Sequence, residues 1–228
     1  MQSLFSNLKI TINENIYLKD PESSDLGKRI VEHSILLIDT IGFDAFTFKK
    51  LGEQIGSNES SIYRYFESKH MLLLYLSSWY WAWTEYQLVF AINNITNPVK
   101  KLDIAIETLT KTTIEDCNYK HINEVVLKRI IIHEYCKSYL TKKVDEENNE
   151  GYFSIYKRIV VRLKDLIENA NKDYNYAFCL ANTIIEGALH QHYIKDHFKS
   201  ISGLQPNEAP TSFFKDIVFK TLNISIHE

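Results

Sequence analysis

Residues 47–70 read TFKKLGEQIGSNESSIYRYFESKH, two short helical patterns separated by a glycine. Thr47 stands where its hydroxyl can accept a first-turn N–H, which predicts a helix over 48–55. Leu51 and Ile55, four apart, give that helix one buried face. Gly52, beside Leu51, removes a side chain where another helix could cross closely. Gly56 ends the helix with positive φ available at no steric cost. Asn58 then caps a second helix over 59–65, with Ile62 turned inward and Phe66 closing a small core. Upstream, Ser24 or Asp25 opens a longer helix to about Ile41, whose Ile30, Ser34, Leu37, Ile38 and Ile41 share one face. Gly42 stops it.

Two short helices joined by a tight glycine turn and preceded by a longer one form a helix-turn-helix, whose second helix enters the DNA major groove. The expected DNA-facing residues are Thr47, Lys49, Asn58, Glu59, Ser60, Ser61, Tyr63, Arg64, Tyr65 and Lys69. Hydroxyls, a guanidinium and ammonium groups suit phosphates and base edges, and a Glu59 carboxylate can accept from a cytosine amino group. The same spacing also describes a helical hairpin that only packs. Charge limits how DNA could be held. The chain carries a formal −3, and its first seventy residues set six Lys and two Arg against ten Asp and Glu. DNA contact must therefore come from a few placed groups, not a basic surface.

Outside this stretch the chain reads as helix. Seven Gly and four Pro in 228 residues leave long segments without a breaker. Helices are expected at 69–94, 98–116, 122–140, 152–170, 174–199 and 211–225. They are separated by NITNP, KVDEENNEG, NAN and SGLQPNEAP. Residues 1–22 alternate weakly through Ile10, Ile12, Ile16 and Leu18, which suggests an extended arm or short hairpin. The expected fold is all-α: an arm (1–22), a three-helix domain with the helix-turn-helix (23–69) and a larger helical domain (70–228). Cys117, Cys136 and Cys179, odd in number and without CxxC spacing, fit buried thiols in a reducing cytoplasm. The N-terminus has no secretory pattern, and the apolar run at 71–83 is too short for a membrane span.

The larger domain carries weaker signals. Trp79, Trp83, Tyr86 and Phe90 belong to an aromatic run that cannot face one side only. They line either a core or a small-molecule cavity, together with His133, Tyr156, Cys179, Asn182 and Glu186. An apolar or aromatic ligand fits them better than a highly charged one. Glu186 with His190, and His133 with Glu134, raise a metal site, but satisfied or solvated side chains are the commoner outcome, and no metal or cofactor is expected. Glu67 with His70 is the only Glu-x-x-His, where a di-iron bundle needs two, and no GxSxG, P-loop or HExxH occurs. Catalysis is not indicated. Ala177, Ala181, Ile184 and Ala188 form one small-residue seam, and Phe213, Phe214, Ile217 and Val218 another.

The run GFDAFTFKKLGEQIGSNESSIYRYFESKHMLL resembles the signature of TetR-family transcriptional regulators. Thr47 matches the capping Thr, Gly56 the turn glycine and Asn58 the capping Ser. Ile62-Tyr63, Tyr65-Phe66 and Ser68-Lys69 take the places of "LY", "HF" and "SK". The resemblance implies a repressor that binds a double-stranded operator as a homodimer and is released by a small-molecule effector. It also implies that the two C-terminal seams (Ala177, Ala181, Ile184, Ala188, Phe213, Phe214, Ile217) form a two-fold dimer interface. The alternative is a helical ligand-binding or interaction protein whose DNA-binding head is non-functional.

Overall fold

The computed structural model describes residues 10–114 and 119–224, and every regular element within them is helical. Cys117, residues 1–9 of the arm and the last residues of the helices expected over 98–116 and 211–225 lie outside the described residues. Two single 3-10 turns, Glu14–Ile16 and Pro21–Ser23, precede α1 (Asp25–Ala45), α2 (Phe48–Ile55), α3 (Glu59–Tyr63) and α4 (Lys69–Ile92). There follow α5 (Pro98–Thr110), α6 (Glu124–Glu134), α7 (Cys136–Tyr139) and α8 (Val144–Asn149). The chain closes with α9 (Ser154–Ala170), α10 (Ala177–His197) and α11 (Thr211–Thr221).

The chain divides into two compact units that are not sequential. The first holds the described residues up to Ala82 and those between Thr113 and Ser154. The second holds Trp83–Thr112 and Ile155 onward.

In the first unit, Ile30, Ile35, Phe46, Leu51, Ile62, Phe66, Leu72 and Tyr75 are at most 2% exposed. Each such side chain contributes about 1.5–3 kcal/mol on burial. Among the described residues before α1, 10–24, there is neither an extended arm nor a hairpin. Asn13 and Asp20 accept from the backbone N–H two residues on, which curls the segment into its two turns and buries Ile12 and Ile16. Pro21 lies against Gly27, where a Cβ would stand 2.2 Å from the Pro21 carbonyl oxygen. The acidic stretch expected as a loop contains α8. Asp145, Glu146 and Glu147 occupy its first turn, where the helix dipole favours carboxylates. Buried Glu147 meets His70 at 2.7 Å.

Gly42 takes the positive φ expected of it (φ 77°, ψ 158°) and interrupts the helix there, a last short turn running on to Ala45 beyond the kink. The Phe43 N–H, freed at the kink, donates to Glu134 Oε1 of α6 at 3.0 Å. Lys137 bridges Glu134 and Asp44, each at 2.8 Å, and its hydrogen bond holds the Asp44 carboxyl below the ordinary range. Arg129 grips Asp39 with two hydrogen bonds. The end of α1, which leads into the helix-turn-helix, is thus held from α6 and α7.

In the second unit α10 packs on α5 and α11. Ala177, Ala181, Ile184 and Ala188 are buried there, as is Phe214, so this part of the expected dimer seam faces the unit's own core. The small side chains let α11 approach: a Cβ at Gly187 would lie 3.0 Å from the Phe214 ring. Phe213 (47% exposed) and Ile217 (39%) do face outward, and Phe178 (51%) joins the exposed apolar residues of α10 and α11.

Candidate nucleic-acid interface

The helix-turn-helix is built from local hydrogen bonds that its sequence specifies. Thr47 Oγ1 accepts from Lys50 N at 3.2 Å, and Asn58 Oδ1 accepts from Ser61 N at 2.8 Å and from Ser61 Oγ at 2.6 Å. Gly56 sits in the left-handed region (φ 63°, ψ 39°). The Gly52 carbonyl accepts from Ser57 N at 2.9 Å, folding the turn back on α2. The missing side chain of Gly52 therefore admits this turn and the start of α3: a Cβ would lie 2.6 Å from Ser57 O and 3.5 Å from Glu59 N. Buried Leu51, Ile55, Ile62 and Phe66 supply the core beneath, and the Arg29 guanidinium donates to the Ile55 carbonyl.

This arrangement leaves Thr47, Lys49, Asn58, Ser60, Tyr63 and Arg64 exposed, with Glu59 and Ser61 half-buried. Tyr63 is steadied by an edge-on contact with Phe48, ring centroids 5.0 Å apart. Lys50, outside the expected set, is exposed as well, its ammonium on the Ala45 carbonyl at 2.8 Å.

Two expected DNA-facing residues are otherwise engaged. Tyr65 is only 3% exposed. Its hydroxyl meets Ser24 Oγ at 2.7 Å and Lys19 Nζ at 3.2 Å, and its carbonyl accepts from Leu18 N at 2.8 Å. The Ser24 hydrogen bond, assisted by Lys19, holds the phenol below its ordinary pKa despite burial. Lys69 donates to the carbonyls of Phe43, Asp44 and Phe46 at 3.0, 3.1 and 3.2 Å. An ammonium has three donors, so Lys69 is used in closing the end of α1. The partners of both residues come from 23 to 47 positions away in the chain, beyond the reach of local spacing.

The residues expected at a small-molecule site are distributed over both units. Trp79 and His133 belong to the first unit, and Trp83, Tyr86, Phe90, Tyr156, Cys179, Asn182 and Glu186 to the second. Trp79 is buried with its ring edge-on to Tyr119. His133, Phe90, Cys179 and Asn182 are exposed, and Asn182 donates to the Phe178 carbonyl one turn back. Burial of an aromatic run says how much of it is covered, not by what. One pair does converge: Tyr156 Oη donates to Glu186 Oε1 at 2.6 Å. A separate cavity of about 360 Å³ lies in the first unit, lined among others by Ile12, Tyr17, Asp20, Glu22 and Tyr75. No group of three or more metal-ligating side chains occurs among the described residues. No helix among them is long and apolar enough to cross a membrane.

Residues 30–76 match the family model described as bacterial regulatory proteins, tetR family. No curated protein matches the chain. Several solved structures share its fold. AibR, solved in complex with isovaleryl coenzyme A and operator DNA, is 17% identical with a TM-score of 0.57, the match covering 86% of this chain and 97% of AibR. The superantigen PfiT is 15% identical with a TM-score of 0.56, covering 90% and 97%. PfmR, a TetR-family transcriptional regulator from Thermus thermophilus, is 14% identical with a TM-score of 0.50, covering 88% and 100%. At such identities the likeness is one of fold. The family match falls instead on the helix-turn-helix itself, and it is through those residues that the chain is similar to the tetR family of bacterial regulatory proteins.

Proposed function

We propose that this protein is a cytoplasmic transcriptional regulator that binds operator DNA as a two-fold dimer and is released by a small-molecule effector. The observation that carries it is the exposed face of the helix-turn-helix, with Lys49, Ser60, Tyr63 and Arg64 outward over a fully buried core. Fold likeness alone would not suffice, because a superantigen shares it. Lys49 and Arg64 have no carboxylate partner among the described residues, which leaves both cations for phosphates. AibR, with an acyl-coenzyme A and operator DNA in one structure, is the precedent for joining both ligands on this fold. For the effector, Trp83, Tyr86 and the Tyr156–Glu186 pair of the second unit supply apolar surface and a polar handle.

The test is binding of the purified protein to fluorescent fragments of its own upstream DNA across a salt series. Specific binding that weakens steeply with salt is expected, since each neutralised phosphate adds about 0.9 to the logarithmic slope. Binding to no fragment at low salt would leave the head without its function.

Dimerisation is assigned to the outward apolar residues Phe178, Phe213 and Ile217, replacing the buried alanine seam. A Phe213→Glu, Ile217→Glu variant should become monomeric in analytical ultracentrifugation. Each carboxylate buried without a partner costs roughly 3–5 kcal/mol, and the two-fold axis repeats it. A variant that remains dimeric places the interface elsewhere.

A further inference from the structure

Position 65 follows directly on the exposed Tyr63–Arg64 pair, yet its side chain is covered. What covers it is Lys19, from the segment before α1 and outside the residues that match the family. The Lys19 ammonium lies 5.0 Å from the Tyr65 ring centroid and 3.2 Å from its hydroxyl, while the residue itself remains exposed. At the place where a side chain from α3's exit is expected to meet DNA, the group presented to solvent is therefore the Lys19 cation.

Lys19 is not an ordinary surface lysine. Leu18, its neighbour, is tied to the Tyr65 carbonyl at 2.8 Å. Ile16 is 1% exposed, and Tyr17 stands edge-on to Tyr75 at 6.1 Å. Asp20 closes the next turn, which Pro21 seats against Gly27. With its backbone held on both sides and its ammonium over an aromatic ring, the cation loses little further freedom on meeting an acceptor. Tyr65 takes one of its three donors. No carboxylate among the described residues pairs with it. In a head whose first seventy residues carry more acids than bases, a held and unneutralised cation is the kind of placed group that DNA binding requires.

We infer that Lys19 is a DNA-phosphate contact, delivered by residues 10–24 to the flank of α3 and making this segment part of the DNA-reading head. The inference rests on the DNA-binding function proposed above.

The test compares wild type with Lys19→Gln, Lys19→Arg and, as a control in the second unit, Lys172→Gln. The probe is a fluorescein-labelled duplex selected by the wild-type protein from a randomised pool, titrated across a salt series. Lys19→Gln should bind roughly tenfold more weakly near 0.1 M salt, and its salt slope should fall by about one per head. Lys19→Arg should restore the slope and Lys172→Gln should keep it. An unchanged slope in Lys19→Gln overturns the inference even if affinity drops, because a residue that only braces Tyr65 releases no counterion. Salt-dependent binding by wild type with an unaltered Lys19→Gln variant sinks the Lys19 contact alone. A wild type that selects no duplex overturns the DNA-binding function and the contact together.

Discussion

A Tyr63→Ala, Arg64→Ala double variant is expected to lose specific operator binding by about a thousandfold or more, falling to the non-specific level. Both side chains are exposed on the face of the helix-turn-helix that is turned away from its core. A well-placed contact to a base edge contributes about 1–3 kcal/mol, and a dimer loses each contact twice. Stability should change little in comparison. Arg64 has no carboxylate partner within the described residues, and Tyr63, about half exposed, gives up its edge-on contact with Phe48 and the partial cover of its ring. That contact is worth about 0.5–1.5 kcal/mol. Binding isotherms and thermal unfolding measured on one preparation separate the two effects. Equal binding by variant and wild type would mean that α3 does not read DNA. A parallel loss of folding would mean that the pair serves the core. Tyr63→Phe, which keeps the ring, then tells stacking apart from the hydroxyl.

The second large effect is on folding. Gly52→Ala places a Cβ 2.6 Å from the Ser57 carbonyl oxygen and 3.5 Å from Glu59 N. The opposing atoms are backbone, so no side chain can swing aside. The turn must open, and the hydrogen bond from Ser57 N to Gly52 O at 2.9 Å goes with it. A cost of about 3 kcal/mol is expected, at the upper end of overpacking, accompanied by loss of DNA binding. Gly56→Ala provides the comparison. Nothing lies within 4 Å of a Cβ there, and the penalty is conformational, from φ 63°. That strain costs about 1–2 kcal/mol, and Gly56→Asn should recover part of it. Urea unfolding ranks the three. A Gly52→Ala variant as stable as Gly56→Ala would show that the turn does not lie against α2 as described.

The two glycines also mark how far local reading extends. The left-handed turn at Gly56 and the caps at Thr47 and Asn58 were legible because each hydrogen bond spans only three or four residues. The close approach at Gly52 was legible as well, and the structure shows that it brings in the turn together with the first residue of α3. The functional face shows the same division. Tyr63 and Arg64 are exposed as α3's phase requires. Tyr65, one residue further, is covered by a segment 46 positions earlier in the chain. No periodicity contains that.

An all-helical chain, the position and caps of the helix-turn-helix and the likeness of that stretch to the tetR family are all legible in the sequence. These depend on breakers, caps and apolar spacing, which act within a turn or two of the residue that carries them. Only the tertiary structure decided which faces are covered and by what. The small residues of α10 have the same spacing whether they meet their own α5 and α11 or a second chain, and their burial placed them inside. Lys69 and Tyr65 have the same chemistry whether they meet phosphate or protein, and carbonyl groups, Ser24 and Lys19 reached them first. Long-range contacts are set by the simultaneous packing of all the helices, and a one-dimensional pattern does not carry that information.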